Sequence, residues 1–289
     1  MSLMLNELGF TIALAHVNFQ LRENESDEDE TFVKAFANKL GVPFFGTRFN
    51  TKSLLEKGES TQMGARRLRY NWFKSITEKE GFDKIATAHS ANDNAETLIY
   101  NLSKGAGLAS MVGIPFKNGN IVRPILSLSS KEVLDYLKAK EQIFRADKSN
   151  ESDYYSRNKI RHHVIPVLKE INGSLENTIT DYSKRFNRIN TFYQASILAL
   201  KKELWLPEDF YWKLDINIGL KHFTSLNKTA ANELFLNFVL ESLLPLGFSE
   251  AAIESILTAN TGAEVLSAKY RIIKNRNELL LAQKDDIKP

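Results

Sequence analysis

The residues best suited to chemistry lie in the run Ala88-His89-Ser90-Ala91-Asn92-Asp93-Asn94-Ala95-Glu96-Thr97. It falls between a strand-like and a helix-like stretch. Asp93 and Glu96 stand where that helix should start, and carboxylates there cap free N–H groups. A capped helix and nothing more is one reading. The other is chemical. A carboxylate at a strand–helix junction of an open α/β sheet can hold Mg²⁺ near phosphates or take a proton from an amine.

Three further groups carry reactive or charged side chains. Ala15-His16-Val17-Asn18-Phe19-Gln20-Leu21-Arg22 puts a histidine at a strand end, where it can pack a nucleotide base or serve only the fold. Ala65-Arg66-Arg67-Leu68-Arg69-Tyr70 reads as helix, with Arg66, Arg69 and Tyr70 spaced to share a face. Such arginines are either solvated or bind an anion. From Arg145 to Arg161 the chain interleaves basic residues with Tyr154 and Tyr155, and Arg157 and Arg161 are four apart on one helical face. That pattern fits RNA backbone contact with base stacking, and equally a solvated basic helix. Asp147-Lys148-Ser149-Asn150 reads as a turn. His16 and His89 lack metal-ligand spacing, and neighbouring His162 and His163 cannot readily share one ion, so no metal-ligating set is expected. Gly105-Ala106-Gly107 follows a helix rather than a strand and lacks a third glycine, so it is not a dinucleotide fingerprint. No GxxxxGK[ST] loop is present.

The elements that must position these groups alternate. Phe10–Val17 reads as a buried strand. Ser26 opens a helix with Asp27, Glu28, Asp29 and Glu30 in its first turn, and Gly41 closes it. Val42–Arg48 is a strand, Ser60–Lys79 a helix, Lys84–Ala88 a strand and Asp93–Lys104 a helix. This predicts an α/β fold with a doubly wound parallel sheet, whose site lies beyond the carboxyl ends of the strands. His16 and His89 occupy such ends. Leu3–Leu8 reads as the tail of a helix, with no strand or loop before it. Residues 1–172 are expected to form this first domain. From Leu175 to Tyr193 apolar residues recur at alternating spacings of four and three, which predicts a long linking helix over 173–204. Residues 205–289 should form a small α+β domain, with helices over Ser225–Leu243 and Ser249–Asn260. A hairpin should follow, Glu264–Ile273 against Glu278–Ala282.

Composition narrows the classes. The 289 residues are 43% hydrophobic and 25% charged, enough for more than one core. There is no cysteine, which excludes disulfides, cysteine-ligated zinc or iron–sulfur sites and thiol catalysis. No run approaches the ~20 apolar residues of a membrane span, and Met1–Gly9 does not read as a signal peptide, so a cytoplasmic location is expected. The net charge of +3 permits a nucleic-acid partner without demanding one.

In this order the pieces resemble the tRNA(Ile)-lysidine synthetase family of the PP-loop ATP pyrophosphatase group. Ala15–Arg22 is similar to the family's AHVNHxLR, Ser60–Tyr70 to its SxExxARxxRY, and His89–Thr97 to its AHHxxDDxxET. Arg123-Pro124-Ile125-Leu126 is similar to RPLL. Asp147, Ser149, Asn150, Arg157, Asn158, Arg161 and Pro166 follow DxSN…RNxxRxxxxP. The likeness is specific over residues 9–172 and weaker to about 283. It implies an ATP- and Mg²⁺-using enzyme that adenylates the C2 oxygen of the wobble cytidine in a CAU-anticodon tRNA(Ile). The lysine ε-amine then displaces AMP. It also implies that Asp93 and Glu96 manage metal or proton, and that Ala15, His16, Val17 and His89 line the ATP site. Arg66 and Arg69 would meet phosphate or tRNA. Arg123, Asp147, Arg157, Asn158 and Arg161 would shape the site for lysine and anticodon.

Departures are confined. The family's SGGxDS loop is not in the sequence, which suggests an N-terminal truncation and weakened ATP binding. Phe19, Ser90, Asn92 and Gln62 stand where the family pattern has His, His, Asp and Glu. An uncovered sheet edge would favour a homodimer. Two alternatives remain: a non-catalytic RNA-binding protein, and another PP-loop tRNA-modifying enzyme such as a thiolase, which typically uses cysteines.

Overall fold

A computed structural model describes residues 1–21, 23–145, 156–223 and 228–284. The chain divides into two compact units, Met1–Phe186 and Asn187–Pro289.

The first unit begins with helix α1 (Ser2–Glu7), closed by Gly9 at φ 78°. Strand β1 (Leu14–Asn18) follows, then α2 (Glu23–Leu40), β2 (Phe44–Arg48), α3 (Thr61–Glu80), β3 (Ile85–Ala86) and α4 (Ala91–Ser103). Short strands β4 (Lys117–Asn118) and β5 (Ile121–Val122) lead to α5 (Ser130–Ala139). Strands β1 and β2 pair in parallel, Leu14 opposite Phe44 through Asn18 opposite Arg48. A second sheet has the order β3-β5-β4, parallel between β3 and β5 and antiparallel between β5 and β4. The α/β alternation is as expected, but the parallel sheet is in two pieces. Among the described residues β1 pairs only with β2, and β3 only with β5.

Element ends follow local chemistry. Ser60 accepts the Met63 N–H to cap α3, and Gly81 ends it at φ 74°, where a side chain would be strained. Two expectations need correction. The first strand is Leu14–Asn18 rather than Phe10–Val17. Phe10 is 60% exposed, because the partner strand reaches back only to Phe44. Helix α2 starts at Glu23 rather than Ser26. Asp27 and Glu30 therefore do not act as first-turn charges. They bind the Asn18 side-chain amide at 2.8 and 3.1 Å and ion-pair with Arg48 at 3.3 and 2.9 Å.

The rest of the unit is helical. Ser156–Lys159 (α6) runs through a π-helical turn, Ile160–Val164, into α7 (Ile165–Ile171), and α8 spans Leu175–Leu204 across the unit boundary. Ala95 and Leu98 of α4 pack on Ile160, Ile165, Leu175 and Ile179. Burying these leucine and isoleucine side chains, at roughly 1.5–3 kcal/mol each, clamps α4 to these helices.

The second unit holds the expected small α+β domain, with more elements than the sequence suggested. Strands β6 (Trp205–Pro207) and β7 (Trp212–Asp215) precede α9 (Ile216–His222), α10 (Lys228–Leu243) and α11 (Glu250–Thr258). The expected first hairpin arm is two strands, β8 (Glu264–Leu266) and β9 (Tyr270–Asn275), and β10 is Glu278–Gln283. All pair antiparallel in the order β6-β7-β10-β9-β8. Leu214, Phe238, Val239, Leu243, Ile253, Ile272 and Leu279 form its dry centre. Gly219 is obligatory there, since an added Cβ would meet the Phe235 ring. Ser225 lies outside the described residues.

Candidate active site

The first turn of α4 is held by a reciprocal cap. The Ser90 N–H and hydroxyl donate to Asp93 Oδ2 at 2.7 and 2.8 Å, and the Ser90 oxygen accepts the Asp93 N–H. One carboxylate oxygen of Asp93 is thus committed to the cap. The other is approached by Arg161 at 3.7 Å. Glu96, one turn on, is buried at 3% exposure. Its two oxygens accept from Arg161 Nε at 2.6 Å and Nη2 at 3.0 Å. A buried carboxylate needs such a bidentate partner. Arg161 sits in the π-helical turn, a feature frequent at functional sites.

Beside this helix start lies a cationic group. Thr87 and His89 follow β3, and the Thr87 hydroxyl and His89 Nδ1 lie 2.9 Å apart. Burial pushes the His89 imidazole below its usual pKa. Asp93 opposes this, while Arg123, Arg66 and Arg69 add to it. None of these three arginines has a carboxylate within 4 Å among the described residues. Arg66 and Arg69 instead lie over the Tyr70 ring at 5.0 and 5.3 Å. Partial burial pushes Arg69 below its usual range and the nearby Arg66 charge adds to this, with Tyr70 opposing. Arg123 follows β5, is 4% exposed and donates to the Pro115 carbonyl at 2.6 Å, while its Nε is buried without a partner. Arginines without a paired carboxylate suit an anionic ligand.

The remaining expected residues are spread more widely. On β1, Ala15 is exposed, His16 half-buried and Val17 buried. Burial pushes the His16 imidazole down, against the pull of Glu30 and Asp29. Asn158 is buried on α6 and Arg157 beside it is exposed. Asp147, with Lys148, Ser149, Asn150, Tyr154 and Tyr155, lies outside the described residues. An open hollow of about 560 Å³ is lined by Asp27, Glu28, Thr31, Phe32 and Arg145 and includes none of the expected site residues. Sequence reasoning missed the Glu96–Arg161 pair, although both residues had been singled out. They are 65 positions apart and nothing in their spacing joins them.

Comparison with known proteins follows the same division. Residues 2–168 match the PP-loop domain family, and residues 222–284 match the TilS substrate binding domain. A tRNA(Ile)-lysidine synthase of Bacteroides thetaiotaomicron is 38% identical over 282 residues, covering 96% of this chain and 63% of that protein. One from Porphyromonas gingivalis is 33% identical over 281 residues, covering 96% and 59%. One from Chlorobaculum tepidum is 41% identical over 160 residues, covering 55% and 48%. The chain thus spans about three-fifths of the length of the first two relatives. Among solved structures, the U34-tRNA thiolase NcsA from Methanococcus maripaludis with its [4Fe-4S] cluster superposes with TM-score 0.51 at 18% identity. That match covers 64% of this chain and 66% of the thiolase, and is a likeness of fold. No cysteine is available here to ligate such a cluster.

Proposed function

We propose, from the premise that this chain belongs to the PP-loop domain family, that it is the catalytic part of a tRNA(Ile)-lysidine synthetase. The substrates would be ATP, free lysine and a CAU-anticodon tRNA(Ile). The observation that carries this reading is the start of α4, where the Ser90–Asp93 cap leaves Asp93 Oδ1 out of its hydrogen bonds beside the Glu96–Arg161 pair. The similarity of nearly the whole chain to synthases of that name supports it.

In this reading Arg66, Arg69 and Arg123 hold phosphate oxygens while the C2 oxygen of the wobble cytidine attacks the α-phosphorus and pyrophosphate leaves. Fixed positive charge aimed at the transferring phosphoryl group lowers that barrier. The lysine ε-amine then attacks C2, the C2–O bond breaks, and AMP departs. Asp93 Oδ1, the oxygen not used in the cap, takes the amine proton. Glu96 orients Arg161 rather than exchanging protons, since both its oxygens accept from that guanidinium. Ala15, His16 and Val17 border the adenine, while Asp147, Arg157 and Asn158 meet lysine or anticodon.

Among the described residues no group of three or more metal-ligating side chains comes together. Mg²⁺ would arrive on the nucleotide, where one or two carboxylates suffice and where it neutralises phosphate charge. No described helix is long and apolar enough to cross a membrane, which accords with work in the cytoplasm. A homodimer is part of the proposal, built on β1 and β3, each of which pairs with only one strand among the described residues. Sedimentation as a monomer at high concentration would remove it.

The test is AMP release. Release should require lysine and the CAU-anticodon tRNA(Ile) together. Release with neither, or with any tRNA, would argue against this substrate pair.

A further inference from the structure

Asn92 joins its own helix α4 to α5 and α8 through its one amide, and Glu176 extends the link to α7. Its Oδ1 accepts the Ser130 N–H at 2.7 Å, a donor that the first turn of α5 leaves without an intrahelical partner. Its Nδ2 donates to Glu176 Oε1 at 2.8 Å, in the first turn of α8. The same Glu176 oxygen accepts from Lys169 of α7 at 2.7 Å. Glu176 is 6% exposed, so it cannot turn to water for other partners. Asn92 is the residue before Asp93. The orientation of α4's first turn, and with it Asp93 Oδ1, which Arg161 approaches at 3.7 Å, therefore depends on an amide that donates on one side and accepts on the other.

We propose that Asn92 is a positioning residue for Asp93, and that Glu176 is the fixed acceptor that requires an amide at position 92. This rests on Asp93 being the site acid. The chemistry is one-sided. An aspartate at 92 could still accept from Ser130, but it has no proton to offer Glu176. Two carboxylates at 2.8 Å do not both stay ionised in place. Above the pH at which they would share one proton, the pair would part and carry the α4 start with it. Glu176→Gln made at the same time restores a donor, because a carboxamide at position 176 can give its N–H to an aspartate at 92. The matched partner of an acid at 92 is thus an amide at 176.

The experiment compares wild type, Asn92→Asp, Glu176→Gln and the double variant by two readings. One is the steady-state rate of lysine incorporation. The other is the carboxyl ¹³C resonance of Asp93, which needs no turnover. Asn92→Asp should lose kcat by on the order of tenfold to a hundredfold, the effect of a misplaced reacting group, with the KM for lysine little changed. Its Asp93 resonance should move. Glu176→Gln should stay near wild type, since its amide oxygen still accepts from Asn92. The double variant should recover both rate and resonance. If Asn92→Asp does not fold, a wild-type Asp93 resonance in the double variant is the required result. An unmoved Asp93 resonance in folded Asn92→Asp, or a double variant no better than it, overturns the proposal. A wild type that incorporates no lysine while the resonances behave as expected overturns the catalytic reading and leaves the positioning role standing.

Discussion

Replacing Arg161 by methionine keeps most of the side-chain stem and removes the guanidinium that satisfies Glu96. The Glu96 side chain is 4% exposed and Arg161 34% exposed, with contacts of 2.6 and 3.0 Å. Breaking a fully buried pair costs about 3–5 kcal/mol, because the remaining charge is stranded. The exposure of Arg161 lets water reach the gap and screens part of that loss, so the lower end, about 3 kcal/mol, applies. For a unit of this size each kcal/mol moves the midpoint by roughly 2–4 °C, which gives a fall of roughly 6–12 °C. Calorimetry on wild type, Arg161→Met, Glu96→Gln and the double variant measures it. The double variant should recover about 2 kcal/mol relative to the sum of the singles, since an amide tolerates burial without a cation. A fall under about 2 °C for Arg161→Met, or simple additivity in the cycle, would show that the pair does not bear on stability as argued.

Other expectations can be checked separately. Gly219→Ala pushes a Cβ into the Phe235 ring, which is 4% exposed and has no room to move. The Asn187–Pro289 unit should lose about 1–3 kcal/mol in denaturant unfolding, and an unchanged midpoint would refute that packing. Glu59 is held down to about 2, first by its hydrogen bonds from Arg67 and then by the Glu56 N–H. A depressed carboxylate contributes stability above its unfolded pKa and loses it as pH falls toward about 2. Glu59→Gln should therefore flatten the acid limb of the stability curve, and an identical limb would refute the assignment. Arg69→Met should weaken nucleotide binding by about tenfold or more, the worth of one charge-assisted contact. Equal affinity by calorimetric titration would exclude it from the anion site.

What the sequence made legible was local. The Ser60 cap and Gly81 stop of α3, the Ser90–Asp93 start of α4 and the turn between β9 and β10 are set by residues within a few positions of one another. What it hid depends on partners far along the chain. Phe10 has the hydrophobicity of a strand residue, but no strand lies beside it among the described residues. Glu28 and Asp29 looked like helix-dipole charges, yet both bind Arg145 at 2.8 Å. The Glu96–Arg161 pair was hidden because the burial of Glu96, and Arg161 across from it, exist only once α4 packs on the 160–179 helices. Strands β6 and β7 are short and mixed in character, and only the ladder that joins them to β10 makes them strands.

The central claim is that Asp93 serves an ATP-dependent transfer of lysine to a wobble cytidine. Labelled lysine, ATP, Mg²⁺ and a CAU-anticodon tRNA(Ile) transcript should be incubated with the protein as wild type and as Asp93→Asn. The account predicts label in the tRNA from wild type, lost in Asp93→Asn with its thermal midpoint intact. No label from the folded wild-type protein, or undiminished label from Asp93→Asn, would contradict it.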